Sequence, residues 1–214
     1  METLLLKGKP VSDSIRLALA PRVQSLKEIG IIPKLAAIIV GDDPASQVYV
    51  LNKTRAFEKL NCESQTFRLD VGSNEKEVLT LIDTLNNDSS VYGILVQLPL
   101  PNHLDAKTIL HAVSFKKDVD GFHPKNLGLL LEGNPNFIPC TPQGILEILK
   151  HYDIPVSGRH AVIVGRSNIV GKPMFALLAQ KFEMGNATVT ICHTGTKDLA
   201  LHTKQADIII AAAG

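Results

Sequence analysis

The sequence has little excess charge of either sign, few cysteines and no long apolar run. Its 214 residues carry 22 basic and 21 acidic side chains, so the formal net charge is only +1. A nucleic-acid partner normally requires a basic excess or a basic stripe, because phosphate contacts dominate such binding. The balanced charge therefore argues against nucleic acid and favours a small-molecule substrate.

The three cysteines, Cys62, Cys140 and Cys192, are odd in number and do not have the spacing of a zinc site. This pattern favours a reducing compartment over a disulfide framework. No run approaches the 18 apolar residues of a membrane span, and the N-terminal METLLLKGKP lacks the apolar core of a signal peptide. We therefore expect a cytoplasmic protein without a membrane partner.

Metal-binding motifs are missing as well. The seven histidines do not cluster with cysteines or acids at ligand spacing. The turn around Asp118 and Asp120 holds too few carboxylates for a calcium loop, which needs a longer series of ligands. We predict no metal, and a hydrogen-bonding role for Asp120.

Short apolar runs of strand length alternate with stretches of helical periodicity, which is typical of parallel α/β proteins. With 45% hydrophobic residues, the chain can bury a core in one large domain or in two smaller ones. The predicted strands cover residues 35–40, 64–69, 92–98, 160–164, 187–192 and 207–213.

Helices are predicted between these strands. The first covers residues 11–26 and should kink at Pro21, because proline removes a backbone hydrogen bond. A second is expected at residues 46–60, and a third includes residues 78–85. The dipeptide Thr141-Pro142 is typical of a helix start, with threonine as the cap, and predicts a helix through Tyr152.

The stretch of residues 116–142 is rich in turn-forming dipeptides and shows little periodicity beyond a leucine patch at residues 127–131. We place a domain boundary there, with an N-terminal domain of residues 1–121 and a C-terminal domain of residues 122–214. The chain ends in an apolar strand, and a domain rarely stops at the tip of a buried strand. We therefore expect the C-terminal domain to be truncated.

In the second half, a strand at residues 160–164 leads into the turn Gly165–Gly171 and then a helix. Such a turn can place backbone N–H groups and the positive end of a helix dipole against a phosphate. The spacing differs from G-x-G-x-x-G, and glycine turns also close ordinary strand–helix loops. The two glycines alone leave both interpretations open.

Two further strands follow, and the first of them ends in His193 and Thr194. Ligands of open α/β sheets bind at the carboxyl ends of the strands, so three strand–helix steps favour a mononucleotide-binding half. Arg166 and Thr194 would then lie near the ribose, where an arginine suits a 2′-phosphate. The alternative is that Arg166 is a solvated loop charge.

In the first half, Tyr49 and Lys53 are four residues apart and share a face of the predicted second helix. Tyrosine can stack on an aromatic ligand, and lysine in a partly dry site can act as an acid or a base. Most such pairs are surface residues. Gln97 ends an apolar strand, where its amide either satisfies a loop backbone group or points into a site.

Six ordered motifs run along the chain: VGDDPAS at residues 40–46, Tyr49 with Lys53, GILVQLPLP at 93–101, KDVDGF at 117–122, PCTP at 139–142 and VGRSNIVGKP at 164–173. Together these segments resemble the bifunctional methylenetetrahydrofolate dehydrogenase/methenyltetrahydrofolate cyclohydrolase family over nearly the whole chain. The resemblance implies an N-terminal α/β catalytic domain, a Rossmann-like NAD(P)-binding domain, folate in the cleft between them, and a homodimer formed through the nucleotide-binding domains.

The resemblance implies oxidation of 5,10-methylenetetrahydrofolate by NADP, with NAD less favoured, and hydrolysis of the methenyl product to 10-formyltetrahydrofolate. These reactions belong to one-carbon metabolism and supply purine biosynthesis. The expected catalytic residues are Lys53 for proton transfer, Tyr49 for stacking on the aminobenzoate, Gln97 for tuning the lysine and Asp120 for holding the pterin. The expected substrate-binding residues are Tyr49, Ser46, Gln97, Leu98, Pro99 and Asp120, and the expected cofactor-binding residues are Gly165, Arg166, Ser167, Val170, Gly171, His193 and Thr194.

The sequence departs from the family pattern at Thr194, where serine is usual, and at Gly214, beyond which family members continue. Two alternatives stay open. A dehydrogenase of an amino or keto acid would need an arginine pair for the carboxylate, and the candidates considered in the first half, Arg55 and Arg68, have no supporting motif. A nucleotide-binding module without catalysis would bind NADP and show no turnover.

Overall fold

The computed structural model describes residues 3–213, which form two units that each contain a three-stranded parallel sheet. The N-terminal unit is Ser12–Val119, and the C-terminal unit consists of residues 3–11 and 120–213. The predicted domain end at Gly214 lies outside the described residues. In chain order the elements are α1 (Gly8–Glu28), β1 (Lys34–Val40), α2 (Pro44–Lys59), β2 (Glu63–Leu69), α3 (Glu75–Asn87), β3 (Gly93–Val96), α4 (Ala106–Ala112), α5 (Pro124–Glu132), α6 (Cys140–His151), β4 (His160–Val164), α7 (Gly171–Ala179), β5 (Thr188–Cys192), α8 (Leu199–Thr203) and β6 (Ile208–Ala211).

The sheet of the N-terminal unit has the order β2-β1-β3, with Leu35 opposite both Ser64 and Gly93. The central strand β1 is buried on both faces, which explains its continuous apolar run. Its alternate residues enter two cores, Ala36 and Ile38 on one face and Ala37 and Ile39 on the other. The direction of strand addition reverses at β1, so the switch point lies at the carboxyl ends of β1 and β3.

A segment after α4 lies beside β3 and is held by Lys117. The Ile94 amide donates to the Lys117 carbonyl at 2.7 Å, and a bridge pairs Ile94 with Asp118. The Lys117 ammonium donates to the carbonyls of Leu85 at 3.0 Å and Asp88 at 2.7 Å. A cation here supplies hydrogen bonds to carbonyls at the C-terminal end of α3 and interacts favourably with the helix dipole. The charge of Lys117 therefore has a structural role.

The sheet of the C-terminal unit has the order β5-β4-β6. Central β4 is buried at Ala161–Ile163, and α7 packs on it through the buried side chains of Met174, Leu177 and Leu178. In a mononucleotide-binding half the third strand extends the sheet beyond the second. Here the third strand, β6, pairs with β4 instead. The switch point of this unit therefore lies at the carboxyl ends of β4 and β6.

All six predicted strands are present. The predicted first helix continues through Pro21 within α1. Helix α6 starts at Cys140, one residue before the predicted cap Thr141, and its cap position is Pro139, which makes no side-chain cap bond. Pro142 then lies in the first turn, where a missing N–H removes no helical hydrogen bond. Within residues 3–213, no helix has both the length and the apolarity needed to cross a membrane.

The turn-rich stretch of residues 116–142 contains a helix, α5, that was not predicted from its leucine patch. His123 caps this helix, because its Nδ1 accepts from the Lys125 amide at 3.0 Å. Proline occupies the first helical position, and Gly133 ends the helix in the left-handed conformation with φ +94°. Proline at the start and glycine after the end are standard helix limits. In this sequence the proline and the glycine stand among other turn-forming dipeptides. The short leucine pattern between them is therefore difficult to recognise as a helix.

Candidate functional site

The loop after β1 is tied to the start of α2 by Asp43. The Ser46 amide donates to Asp43 Oδ2 at 2.7 Å, which makes Asp43 the cap of α2. The hydrogen bond from the Ser46 backbone amide, with a smaller contribution from the Ser46 side chain, holds the pKa of the Asp43 carboxyl below its ordinary value. A negative charge at the N-terminal end of a helix also interacts favourably with the helix dipole. Helix α2 therefore starts at a fixed point beside the sheet.

One face of α2 carries the predicted side chains Ser46, Tyr49 and Lys53, at positions i, i+3 and i+7. Ser46 is buried and donates through its hydroxyl to the Leu98 carbonyl at 3.4 Å. Tyr49 is 62% exposed, and Lys53 is half-buried. This face of the helix therefore begins against the loop that follows β3, and it leaves the tyrosine ring accessible to a ligand.

The loop after β3 contains Gln97, Leu98 and Pro99. The Gln97 amide N–H donates to the Ile38 carbonyl at 2.9 Å, and its Nε2 donates to the Leu98 carbonyl at 2.7 Å. The Leu98–Pro99 peptide bond is cis, and Pro99 is exposed. Gln97 Oε1 is buried and has no hydrogen-bond partner among the described residues. A buried acceptor without a partner is costly, so this atom suits a donor supplied by a ligand or by a neighbouring cation.

Asp120 lies in the C-terminal unit, next to the PCTP motif. The Cys140 thiol donates to Asp120 Oδ1 at 3.8 Å. A Cβ at Gly121 would lie 3.0 Å from both the nitrogen and Cδ of Pro139, so the two segments are in close backbone contact. Cys140, which contacts Asp120, was not among the predicted site residues. Its place within PCTP, beside the start of a predicted helix, was the available signal.

The turn between β4 and α7 depends on two glycines. Gly165 has φ +133°, and a Cβ there would collide with the Ala212 carbonyl oxygen, while a Cβ at Gly171 would collide with the Gly165 carbonyl oxygen. Ser167 Oγ accepts from the amides of Val170 at 3.1 Å and Gly171 at 3.4 Å. These contacts match the known uses of glycine in a nucleotide-binding turn, namely a tight turn and close helix–strand packing.

A cavity of about 470 Å³ lies at the carboxyl ends of β4, β5 and β6, which is within the usual size range of small-molecule sites. It brings together five of the seven predicted cofactor residues. Val170 and Gly171 are not among its lining residues, and their amides are bound by Ser167. Sequence reasoning missed four lining residues, Val164, Leu199, Ala212 and Ala213, because their side chains carry no polar group. The lining consists of Val164, Gly165, Arg166, Ser167, His193, Thr194, Leu199, Ala212 and Ala213.

The turn after β5, residues 193–196, is closed by three hydrogen bonds. Thr196 Oγ1 accepts from the His193 amide at 2.9 Å, and the Thr196 amide donates to the His193 carbonyl at 2.8 Å. The Gly195 amide donates to His193 Nδ1 at 3.0 Å. The turn contains no acidic residue. The next carboxylate along the chain, Asp198, accepts from the Leu201 amide as the cap of α8.

Other candidate chemistries have less support. Within residues 3–213, no group of three or more His, Cys, Asp or Glu side chains is arranged to hold a metal ion. Arg55 and Arg68, the pair that an amino-acid or keto-acid dehydrogenase would need, are both exposed. Arg68 lies within the edge strand β2, and Arg55 lies within α2. Neither arginine is at the carboxyl ends of β1 and β3.

Comparison with known proteins extends these observations. Residues 6–120 match the tetrahydrofolate dehydrogenase/cyclohydrolase catalytic domain, and residues 139–214 match the NAD(P)-binding domain of the same family. The chain is 52% identical over 214 residues to the bifunctional protein FolD of Ligilactobacillus salivarius, covering all of this chain and 74% of that protein.

Solved structures agree with the sequence matches. The crystal structure of the bifunctional enzyme FolD, methylenetetrahydrofolate dehydrogenase/cyclohydrolase, from Campylobacter jejuni is 50% identical, with a TM-score of 0.93 over 99% of this chain and 74% of that one. The Trypanosoma brucei enzyme, solved with NADP cofactor and an inhibitor, is 32% identical, with a TM-score of 0.92 over 100% of this chain and 73% of that one. The chain therefore belongs to the tetrahydrofolate dehydrogenase/cyclohydrolase family.

Proposed function

We propose that this protein oxidises 5,10-methylenetetrahydrofolate to 5,10-methenyltetrahydrofolate with NADP and hydrolyses that product to 10-formyltetrahydrofolate. The family assignment supports both activities, since the two matched domains together cover most of the chain. Relatives with about half of their residues identical are named bifunctional protein FolD, and the chain spans about three quarters of their length.

The buried oxygen of Gln97 is the observation that carries this proposal. The Gln97 side-chain nitrogen donates to the Leu98 carbonyl, which leaves Oε1 to accept a hydrogen bond. The same carbonyl anchors Ser46, at the start of the α2 face that holds Lys53. A lysine side-chain nitrogen carries N–H donors for an amide oxygen in both its neutral and its charged form, and the charged form donates more strongly. Gln97 would therefore hold Lys53 at the reacting carbon.

The folate would be held by three further groups. The Tyr49 ring, largely exposed on α2, would stack on the aminobenzoate portion of the substrate. The Asp120 carboxylate would accept two adjacent N–H groups of the pterin. Leu98 and Pro99, which follow Gln97, would supply the adjoining surface of the site. Each role uses the ordinary chemistry of its side chain or backbone.

Lys53 would act mainly in the hydrolytic step. Loss of hydride leaves a methenyl cation, and water attacks its carbon. The reaction releases one proton, which neutral Lys53 would accept from the attacking water and pass to solvent. The oxidation step transfers hydride rather than a proton, so it depends chiefly on how the two reactants are positioned. Lys53 should therefore matter more for hydrolysis than for the positioning of the cofactor.

NADP is the cofactor that we propose, and it supplies the chemistry of hydride acceptance. Two close backbone approaches, at Gly165 and Gly171, form the kind of turn that a dinucleotide requires. Arg166 and Thr194 line the same cavity and would bind the 2′-phosphate. A carboxylate at the end of the second strand favours the free ribose of NAD. Residues 193–196 contain none, which supports NADP.

We further propose that the functional domains are residues 1–121 and 122–214, that the protein acts in the cytoplasm, and that two copies associate through their nucleotide-binding domains. The three cysteines suit a reducing compartment, since their number is odd and their spacing gives no framework. Sedimentation equilibrium tests the dimer. For the 214-residue chain a native mass of twice 23.2 kDa is expected, and a monomer at micromolar concentration would contradict it.

The enzymatic proposal is tested by mixing the protein with methylenetetrahydrofolate and either NADP or NAD. The ultraviolet absorbance of reduced cofactor and of the methenyl product should rise with NADP, and the methenyl band should then decay as 10-formyltetrahydrofolate forms. Isothermal calorimetry with NADP, on the same preparation, separates the alternatives. Tight NADP binding without either absorbance change would support a nucleotide-binding module and would refute the enzyme.

A further inference from the structure

The imidazole of His193 is held in one tautomer by its own turn. Its Nδ1 accepts a hydrogen bond from the Gly195 amide at 3.0 Å. A ring nitrogen that accepts cannot carry a proton, so the neutral ring must have its N–H on Nε2. His193 lines the cavity at the carboxyl ends of β4, β5 and β6. Its Nε2 makes no hydrogen bond to any residue in the part of the chain that is described.

Gly195 makes this arrangement possible. A Cβ at position 195 would lie 3.1 Å from Cε1 and 3.2 Å from Nδ1 of the His193 ring, which is tighter than ordinary packing contacts. A side chain there would push the ring away from the Gly195 amide. The Thr196 hydroxyl oxygen accepts from the His193 amide, which ties the two ends of the turn together. The turn is therefore built to fix the imidazole.

We propose that His193 is a specificity-determining residue for the 2′-phosphate of NADP, to which it presents a fixed Nε2–H donor, and that Gly195 is the positioning residue for its ring. This inference rests on the proposed use of NADP. Arg166 lies in the same cavity and supplies the positive charge. The imidazole adds a further directed donor to those of the guanidinium.

A fixed donor favours the phosphate over the hydroxyl that NAD carries at the same position. The phosphate offers only acceptors and is charged, so its hydrogen bond from an N–H is charge-assisted. A ribose hydroxyl is neutral and gains less from the same donor. Hydrogen bonds to charged groups change affinity by roughly ten- to a hundredfold. Loss of the Nε2 donor should therefore weaken NADP binding by about tenfold and leave NAD binding nearly unchanged.

The test uses the full chain, two fragments of the cofactor and paired variants. Adenosine 2′,5′-bisphosphate carries the 2′-phosphate, and adenosine 5′-monophosphate lacks it. His193→Gln keeps an N–H donor at the Nε2 position, whereas His193→Asn keeps an acceptor at the Nδ1 position and loses the donor. Calorimetry should show about tenfold weaker binding of the bisphosphate to His193→Asn, a smaller loss for His193→Gln, and little change for the monophosphate. His151→Asn, at an exposed position on α6, is the matched control.

The tautomer provides a second readout that does not depend on activity. Nitrogen-15 NMR of the histidine rings should show the proton of His193 on Nε2 in the wild type, and Gly195→Ala should release the ring and reduce bisphosphate affinity. A wild-type proton on Nδ1, or equal losses for both nucleotides in His193→Asn, would overturn the inference. Folate turnover is measured in parallel. A wild type that prefers the bisphosphate through His193 but does not oxidise folate would refute the proposed catalysis and leave this site standing.

Discussion

The two units have the same sheet topology, but one candidate site is formed mainly by side chains and the other by close backbone contacts. In each, the first strand is central and the third strand pairs with it, so the switch point lies at the carboxyl ends of those two strands. At that point the N-terminal unit places side chains, including Gln97 and Ser46. The C-terminal unit instead brings backbone against backbone, at Gly165 and Gly171. A side chain in the first site can be replaced while the backbone keeps its position. A side chain added where two backbone segments touch must push those segments apart.

The largest effect should come from Gly171→Ala. The added Cβ would collide with the Gly165 carbonyl oxygen and would lie 2.7 Å from the Gly165 carbonyl carbon and 2.9 Å from the Arg166 Cα. All three atoms belong to the backbone, so no side chain can move away to relieve the collision. We expect a loss of about 3 kcal/mol in the free energy of unfolding, the upper end of the usual cost of overpacking, measured by urea denaturation, together with loss of NADP binding.

Gly144→Ala is the matched control for that variant. Gly144 lies within α6, and a Cβ there would meet nothing within 4 Å. Alanine is the better helix former, so this change should stabilise the protein by about 0.5–1 kcal/mol. Equal destabilisation by both variants would contradict the idea that close backbone approach distinguishes the nucleotide turn.

Lys53→Met tests the opposite case, a side chain that can be lost without unfolding. We expect cyclohydrolase activity to fall by about 10²- to 10⁴-fold, the usual contribution of an acid–base group, while folate still binds and the unfolding curve stays close to that of wild type. Lys59→Met, in the last turn of the same helix and exposed, should retain activity. Unchanged hydrolysis of the methenyl substrate by Lys53→Met would refute the assigned role.

The same contrast explains what could be predicted from the sequence. Strands such as β1 and β4 were found because a strand buried on both faces has a continuous apolar run. Side-chain sites were visible because Lys53 and Gln97 have distinctive chemistry. The pairing of β6 with β4 was not predictable, since strand order depends on contacts between segments far apart in sequence.

Lining residues without functional groups escaped prediction for a related reason. Ala212 contributes to the nucleotide cavity through its backbone, which approaches Gly165 only after β6 has paired with β4. Helix α5 was missed because its end residues, His123 and Gly133, also suit turns. A local sequence pattern indicates which conformation a segment favours. The lining of the cavity and the limits of α5 depend instead on contacts with other segments.

Lys117→Met should show that the N-terminal unit also contains a side chain on which its fold depends. The ammonium of Lys117 satisfies the Leu85 and Asp88 carbonyls at the end of α3, and its removal leaves both without this donor. Hydrogen bonds from charged groups contribute about 1.5–3 kcal/mol, so we expect a loss in that range in the free energy of unfolding. Lys116→Met, at the exposed neighbouring position, should cost almost nothing. A similar loss in both variants would show that the carbonyl contacts are unimportant.

The smallest effect concerns the pH dependence of the α2 cap. Hydrogen bonds from Ser46 hold the pKa of Asp43 below its ordinary value of 3.8. The unfolded chain lacks these bonds and binds the proton at higher pH. The stabilisation is therefore complete above the ordinary pKa and is lost as pH falls through the lower pKa of the folded state.

Two variants of Asp43 test this pH dependence. Asp43→Asn keeps a capping oxygen that does not titrate, whereas Asp43→Ala removes the cap. Thermal unfolding from neutral pH to below 3.8 should therefore show wild type losing stability relative to Asp43→Asn, with Asp43→Ala less stable than Asp43→Asn throughout. A constant difference between wild type and Asp43→Asn would mean that the Ser46 contacts do not act on the carboxylate, and that Lys53 lies on a helix whose start is fixed by other contacts.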